Sequence, residues 1–308
     1  MLRGGRSSEH EVSLDSARSV IEGLDPDRYD VVAIEIPREG PWLLDANEAA
    51  GLDVVFPVLH GPFGEDGAVQ GLLELAGVAY VGAGVTASAL AMDKDLFKSV
   101  MRDKGVPVAR SLTVRAGEAA TSPFGFPCVV KPARLGSSVG ISVVHDEEDF
   151  PAAVELAFAH DEKILVEEFL DGVEVECSVL GNADPVASVP GEIVPLASDW
   201  YDYEAKYAEG GMELIVPPRV PAEAAARVQD VAVEAFVACD CEGMARVDCF
   251  VRPGGQVVVN ELNTIPGFTA TSVYAKLFEA SGIPYPELLD RLVELALERR
   301  DRRAALRY

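Results

Sequence analysis

The sequence predicts a mixed fold, α/β at the N-terminus and α+β thereafter, and three observations carry the prediction. Short β-branched runs alternate with amphipathic segments over residues 1–87, the pattern of a small open parallel sheet. Farther on, "KPARLGSSVGISVV" (131–144) joins two apolar runs through a turn rich in glycine and serine. Near the end, "MARVDCFVRPGGQVVVNELN" (244–263) reads as a hairpin with RPGG as its turn.

In order along the chain, "SSEHEVSLDSARSVIEGL" offers serine N-caps, acidic residues in the opening turn and apolar residues at helical spacing. "YDVVAIEI", "DVVFPVLH" and "VAYVG" are the strands of the first unit, with the helix "GAVQGLLELAG" between the second and third. Such a unit normally opens with a buried strand. Only Met1, Leu2 and Arg3 precede "GGRSSEH", so either that strand is missing or the start lies upstream. The second unit, residues 88–180, holds a lysine-rich helix, the strand–turn–strand at 131–144, another helix, and the strands "KILVEEFL" and "VEVECSVLG". The third, residues 181–308, holds the polar aromatic loop "SDWYDYEAKYAEGGM", a long helix from Pro221, the hairpin and a closing helix. The arginine-rich tail reads as the solvated end of that helix, its cations complementing the helix dipole.

With 308 residues, 49% hydrophobic and 25% charged, the composition is that of an ordinary globular protein of two or three compact units. A net charge of −25 argues against nucleic acid and an anionic membrane surface as partners, so any phosphate site must be a local basic pocket. Five cysteines, without a CxxC pair and within apolar runs, read as buried reduced thiols. No apolar run approaches the about 20 residues of a membrane span, and a cytoplasmic location is expected.

Residues two apart on a strand share a face, so Glu261 and Asn263 point together, and the RPGG turn brings Asp248 near Glu261. Two carboxylates and an amide make a hard oxygen site suited to magnesium with substrate phosphates; the alternative is a solvated hairpin edge. In the glycine-rich turn Lys131 supplies a cation, Gly136 and Gly140 let backbone approach phosphate oxygens, and Ser137 and Ser138 add donors. The implied geometry is a flap over a nucleotide. A tight surface turn would explain the glycines but not the lysine. "GAGVTA" (82–87) matches a dinucleotide-binding pattern but is followed by a lysine-rich helix instead of a strand ending in an acid, so nicotinamide binding is not expected. His60, in "LHGPFGEDG" at a strand's carboxyl end where ligands gather, and Glu11, at a helix start, read by themselves as structural, a turn-satisfying imidazole and a helix-start charge.

Seven segments in order, "GGRSSEHEVSL", "HGPFGEDG", "MDK", "KPARLGSSVG", "YDYEAKY", "GMARVD" and "NELNTIPGFTATS", resemble the D-alanine–D-alanine ligase family of the ATP-grasp superfamily, from Gly4 to about Leu297. The resemblance implies an ATP-grasp fold with an N-terminal α/β substrate domain (1–87), a central lobe with the flap (88–180) and a C-terminal lobe with the metal site (181–308). It implies Lys94 and Lys131 on ATP phosphates, Glu167 at the adenine, Phe169 and Leu170 along the hinge strand and Glu174 at the ribose. Lys206 reaches the γ-phosphate from a mobile loop, and Asp248, Glu261 and Asn263 hold two magnesium or manganese ions.

In the chemistry so implied, a D-alanine carboxylate attacks ATP to give an acyl phosphate, which a second D-alanine amine displaces, for peptidoglycan precursor synthesis. Arg246 and the Gly267 N–H steady the oxyanion, and Glu11 binds the first ammonium in a network with Ser137 and Tyr207. His60 lies near the first carboxylate and Ser272 holds the second. A homodimer is implied as well. The rivals are a ligase making D-alanyl-D-lactate or D-alanyl-D-serine, another ATP-grasp ligase, and a silent nucleotide-binding protein. Tyr207 favours alanine over the first. A missing first strand would remove support beneath Glu11, and the short connection from Pro37 to Gly51 puts N-terminal packing in doubt.

Overall fold

The structure, a computed structural model, describes residues 1–40, 42, 51–196 and 211–307. Its N-terminal unit does have a first strand. β1 (Leu2–Gly4) pairs in parallel with β2 (Ile34–Ile36), and Leu2 bridges in parallel to Pro57 beside β3 (Val54–Val55), which pairs with β4 (Ala79–Tyr80). The expectation of a missing strand is therefore corrected. Three residues suffice because Leu2 is fully buried between neighbours on both sides, its N–H bonded to Phe56 O and its O to Val58 N–H. Helix α1 (His10–Gly23) follows, tied down where Ser13 Oγ accepts from Gly4 N–H at 2.8 Å and donates to Val58 O. α2 (Ala68–Ala76) joins β3 to β4.

Next come α3 (Val85–Met92) and α4 (Lys94–Lys104), which lead into an antiparallel four-stranded sheet. Its strands β5 (Ser111–Arg115), β6 (Cys128–Pro132), β7 (Ser142–Val144) and β8 (Lys163–Glu168) lie in the order β5-β8-β6-β7. Strand alternation decides its two faces. Cys128, Val130, Ile164 and Val166 bury against α5 (Phe150–Phe158), which leaves Val129, Lys131, Leu165 and Glu167 for the opposite face.

The larger sheet runs β12-β11-β9-β13-β14, with β10 (Val186–Ala187) on β9. These strands are β9 (Val173–Gly181), β11 (Gly191–Pro195), β12 (Met212–Ile215), β13 (Gly243–Val251) and β14 (Val257–Asn263). The expected boundary at 180/181 falls at the end of β9, yet all of β9 pairs with β13 in this sheet. One face packs on α6 (Ala222–Ala238) and on Phe97 and Met101 of α4. The other face carries Glu176, Arg246 and Asp248 and meets the cleft.

Helices α7 (Val273–Ala280) and α8 (Tyr285–Ala304) close the chain. The tail of α8 is largely exposed, as its composition suggests, but one arginine turns inward. Arg299 is 3% exposed, donates to the carbonyls of Tyr80 and Gly82, and stacks on Tyr80 at 4.2 Å, while Arg303 pairs with Glu74 and Arg302 with Glu242. Two carbonyls at the end of a parallel strand need donors that the turn after it does not supply, and the guanidinium fork fits both. All five cysteines are free and buried.

Candidate active site

The β13–β14 hairpin builds one wall. Gly254 and Gly255 take φ of 90° and 85°, as the tight turn requires, and the register pairs Arg246 with Asn263 and Asp248 with Glu261. Between Asp248 and Cys249 the register shifts, because Asn260 is an extra residue between Val259 and Glu261. The bulge lets consecutive residues face the cleft: Asn260 Oδ1 accepts from Lys131 at 3.3 Å and Glu261 pairs with Lys94 at 3.2 Å. Asp248 accepts from Arg246 Nε and Nη2, both at 2.7 Å, and from Asn263 Nδ2 at 2.9 Å, while Arg246 also meets Glu176 at 2.9 Å.

The facing wall is the four-stranded sheet with α4. Asp93 caps α4 by accepting from Leu96 N–H, and Lys163 grips the Asp93 carboxylate at 2.6 Å. This fixes Lys94, whose N–H bonds Ala133 O and whose Nζ bonds Leu135 O at 2.8 Å. Lys131 pairs with Glu167 at 2.9 Å. Burial raises the Glu167 carboxyl, but Lys131 and Lys98 together outweigh this and hold it below the usual range. Lys94, Lys131, Glu167, Phe169, Leu170 and Glu174 thus line one cleft, closed on one side by Gly136, Ser137 and Ser138. In that turn Ser137 and Ser138 both adopt left-handed φ (52° and 59°), and a Cβ on Gly140 would lie 2.7 Å from His160.

A second basin adjoins the first, sharing Gly136, Ser137 and Glu261. Arg246, Gly267, Ser272 and His60 line it. His60 is buried between Ile265 O (Nδ1, 3.0 Å) and Ser16 Oγ (Nε2, 3.5 Å), and burial holds its imidazole neutral. Ser272 Oγ accepts from Thr269 N–H at 3.0 Å, beside Gly267.

The expected partner of Ser137 is corrected. Ser137 Oγ donates to Glu9, which is 7% exposed, whereas Glu11 lies at the basin rim with its side chain 73% exposed and paired to Arg38 at 2.6 Å. Helix geometry explains this: α1 begins at His10, so Glu9 precedes it, facing the flap, and Glu11 falls about 200° round from it. Glu65 is a further acid that sequence reasoning did not single out. Burial first, then the Glu9 charge, lifts its carboxyl to about 8, and it accepts from Gly61 N–H at 2.8 Å. Tyr207 and Lys206 lie outside the described residues. A basin with acids at one side and Arg246 and Ser272 at the other suits a zwitterion, and the adjoining lysines suit a polyphosphate.

Residues 100–294 match the family described as D-ala D-ala ligase C-terminus, and residues 1–51 and 43–83 match D-ala D-ala ligase N-terminus. A D-alanine–D-alanine ligase of Solibacter usitatus is 48% identical over 318 residues, covering 100% of this chain and 98% of the relative. Among solved structures, D-alanine–D-alanine ligase from Bacillus anthracis complexed with ATP superposes with a TM-score of 0.84 at 30% identity, covering 98% of each chain. The VanG D-Ala:D-Ser ligase from Enterococcus faecalis gives 0.86 at 37% identity, over 96% of this chain and 98% of its own.

Proposed function

This chain belongs to the D-alanine–D-alanine ligase family, and we propose that it joins two D-alanine molecules to D-alanyl-D-alanine with ATP, releasing ADP and phosphate, for peptidoglycan precursors. The observation that carries the reading is the junction of the two compartments at Gly136, Ser137 and Glu261. A phosphate donor in one and a carboxylate in the other meet there without crossing solvent. Lys94 and Lys131 neutralise the transferring phosphate.

The first amino acid places its ammonium against Glu9 and its carboxylate toward His60 and the phosphates. Its carboxylate oxygen attacks the γ-phosphorus, ADP leaves, and an acyl phosphate remains. The second amino acid, its carboxylate on Ser272, gives up its ammonium proton and attacks that carbonyl through nitrogen; the amide C–N bond forms as the C–O bond to phosphate breaks, and phosphate departs. Arg246 and the Gly267 N–H meet the oxyanion, each such donor typically contributing about 3 kcal/mol. Enclosure beneath the flap keeps water from the acyl phosphate.

Asp248, Glu261 and Asn263 fit two magnesium or manganese ions. Their oxygens are hard donors on one face, and they are balanced by Arg246 and Lys94. Among the described residues no cluster of three or more His, Cys, Asp or Glu occurs, so ions held by these three side chains would need substrate phosphate oxygens as further ligands. Such ions supply charge neutralisation at the transferring phosphoryl group.

The likeness to a D-Ala:D-Ser ligase gives the substrate alternative. Phosphate release is measured with ATP, magnesium and D-alanine, L-alanine, D-alanine plus D-lactate, or D-alanine plus D-serine, with products identified by mass. Dipeptide from D-alanine alone is expected; mixed product in preference to dialanine overturns the substrate reading, and no release with any pair overturns the ligase reading. A cytoplasmic homodimer accompanies the proposal, tested by light scattering; no described helix is long and apolar enough to cross a membrane.

A further inference from the structure

Behind the nucleotide cleft stands a lysine that neither the sequence reading nor the mechanism uses. Lys98 lies one turn after Lys94 on α4, and its side chain is 0% exposed. It does not line the cleft. Its Nζ reaches Glu167 Oε1 at 3.2 Å, while Lys131 holds Glu167 Oε2 at 2.9 Å, so each carboxylate oxygen has its own cation. Burial pulls the Lys98 ammonium down to about 8, with Glu167 opposing, so the charge sits there at a cost that a methionine of similar volume would avoid.

We propose that Lys98 is a positioning residue for base recognition: it keeps the Glu167 carboxylate charged and fixed, so that Glu167 can accept from the exocyclic amine of adenine while Lys131 is released to the phosphates. The inference rests on the nucleotide reading of this cleft. Glu167 is 3% exposed and lies two residues before Phe169 along the cleft wall, which sets it at the base end. Lys131 bridges from Glu167 to Asn260, toward the hairpin and Glu261, which is the phosphate end. With Lys98 absent, Lys131 alone balances Glu167 and must either stay with it or leave a buried carboxylate to take up a proton. A protonated Glu167 loses its charged acceptor for the amine.

The test compares ATP with inosine triphosphate, whose base carries an oxygen in place of the amine, by calorimetry on wild type and Lys98→Met. The variant should weaken ATP by about tenfold or more, the loss of one charge-assisted hydrogen bond, and inosine triphosphate by less than about twofold. Equal weakening of both, or unchanged ATP affinity in the folded variant, overturns the proposal. If Lys98→Met does not fold, Lys98→Met/Glu167→Gln removes both charges. That pair should fold and lose the preference for ATP, because an amide can either accept from an amine or donate to an oxygen; a retained wild-type preference overturns the proposal. Wild type that binds ATP separates these results from failure of the nucleotide reading, which would show as no binding of either nucleotide.

Discussion

Glu9 and Glu11 stand two positions apart, and exchanging each for glutamine separates a site acid from a rim acid. Glu9→Gln replaces the acceptor of the Ser137 hydroxyl at the edge of the shared basin, at a residue 7% exposed. A buried hydrogen bond to a charged group contributes about 1.5–3 kcal/mol, so the Michaelis constant for the first D-alanine should rise about 10- to 150-fold. Glu11→Gln breaks only the pair with Arg38, whose side chain is 53% exposed against 73% for Glu11. An exposed pair of this kind contributes about 0–1 kcal/mol, so the same constant should move by less than about fivefold. The assay is initial-rate phosphate release over a wide D-alanine range, in which the two binding events resolve as separate constants, with melting temperature recorded for both variants. A larger loss in Glu11→Gln than in Glu9→Gln refutes the reasoning, because no contact through Arg38 accounts for it.

Arg246→Ala should lower kcat by about 10²–10³-fold while ATP affinity changes by less than about threefold; equal losses in both count against the oxyanion role. Glu65 gives a pH signature. Its carboxyl rises from 4.5 to about 8, so the fold holds a proton that the unfolded chain has released, and this contribution to stability is full below 4.5 and is lost as pH rises through about 8. Wild type should therefore lose melting temperature relative to Glu65→Gln between about pH 5 and 9, and parallel curves would remove the assignment. Arg299→Met strips donors from two buried carbonyls and should cost about 2–4 kcal/mol in denaturant unfolding, with the D-alanine constants unchanged within about twofold.

The hairpin was legible because RPGG places the turn and so brings Asp248 near Glu261; the direct pairing was not, since the register running from the turn would set Asn260 opposite Asp248 and only the bulge moves Glu261 there. The glycine-rich turn could be read as a flap from Lys131 and its glycines. Its tether could not, because "SSEHE" offers two acids whose facing depends on whether the helix starts one residue earlier or later. β1 escaped notice because three residues carry no alternation, and it exists through the neighbours that bury Leu2. Lys98 looks like any lysine on a polar helix face until Glu167, far along the chain, is brought against it.

The clasp of Arg299 on Tyr80 and Gly82 also orders events in time. A growing chain emerges N-terminus first, so the strand end that Arg299 caps waits for 217 further residues before its donor is made. Until then the first unit carries two uncapped carbonyls, and it can reach its mature stability only after the last helix docks. Synthesis that stops short of Arg299 should yield a chain whose defect lies near residue 80, at the opposite end of the sequence from the break.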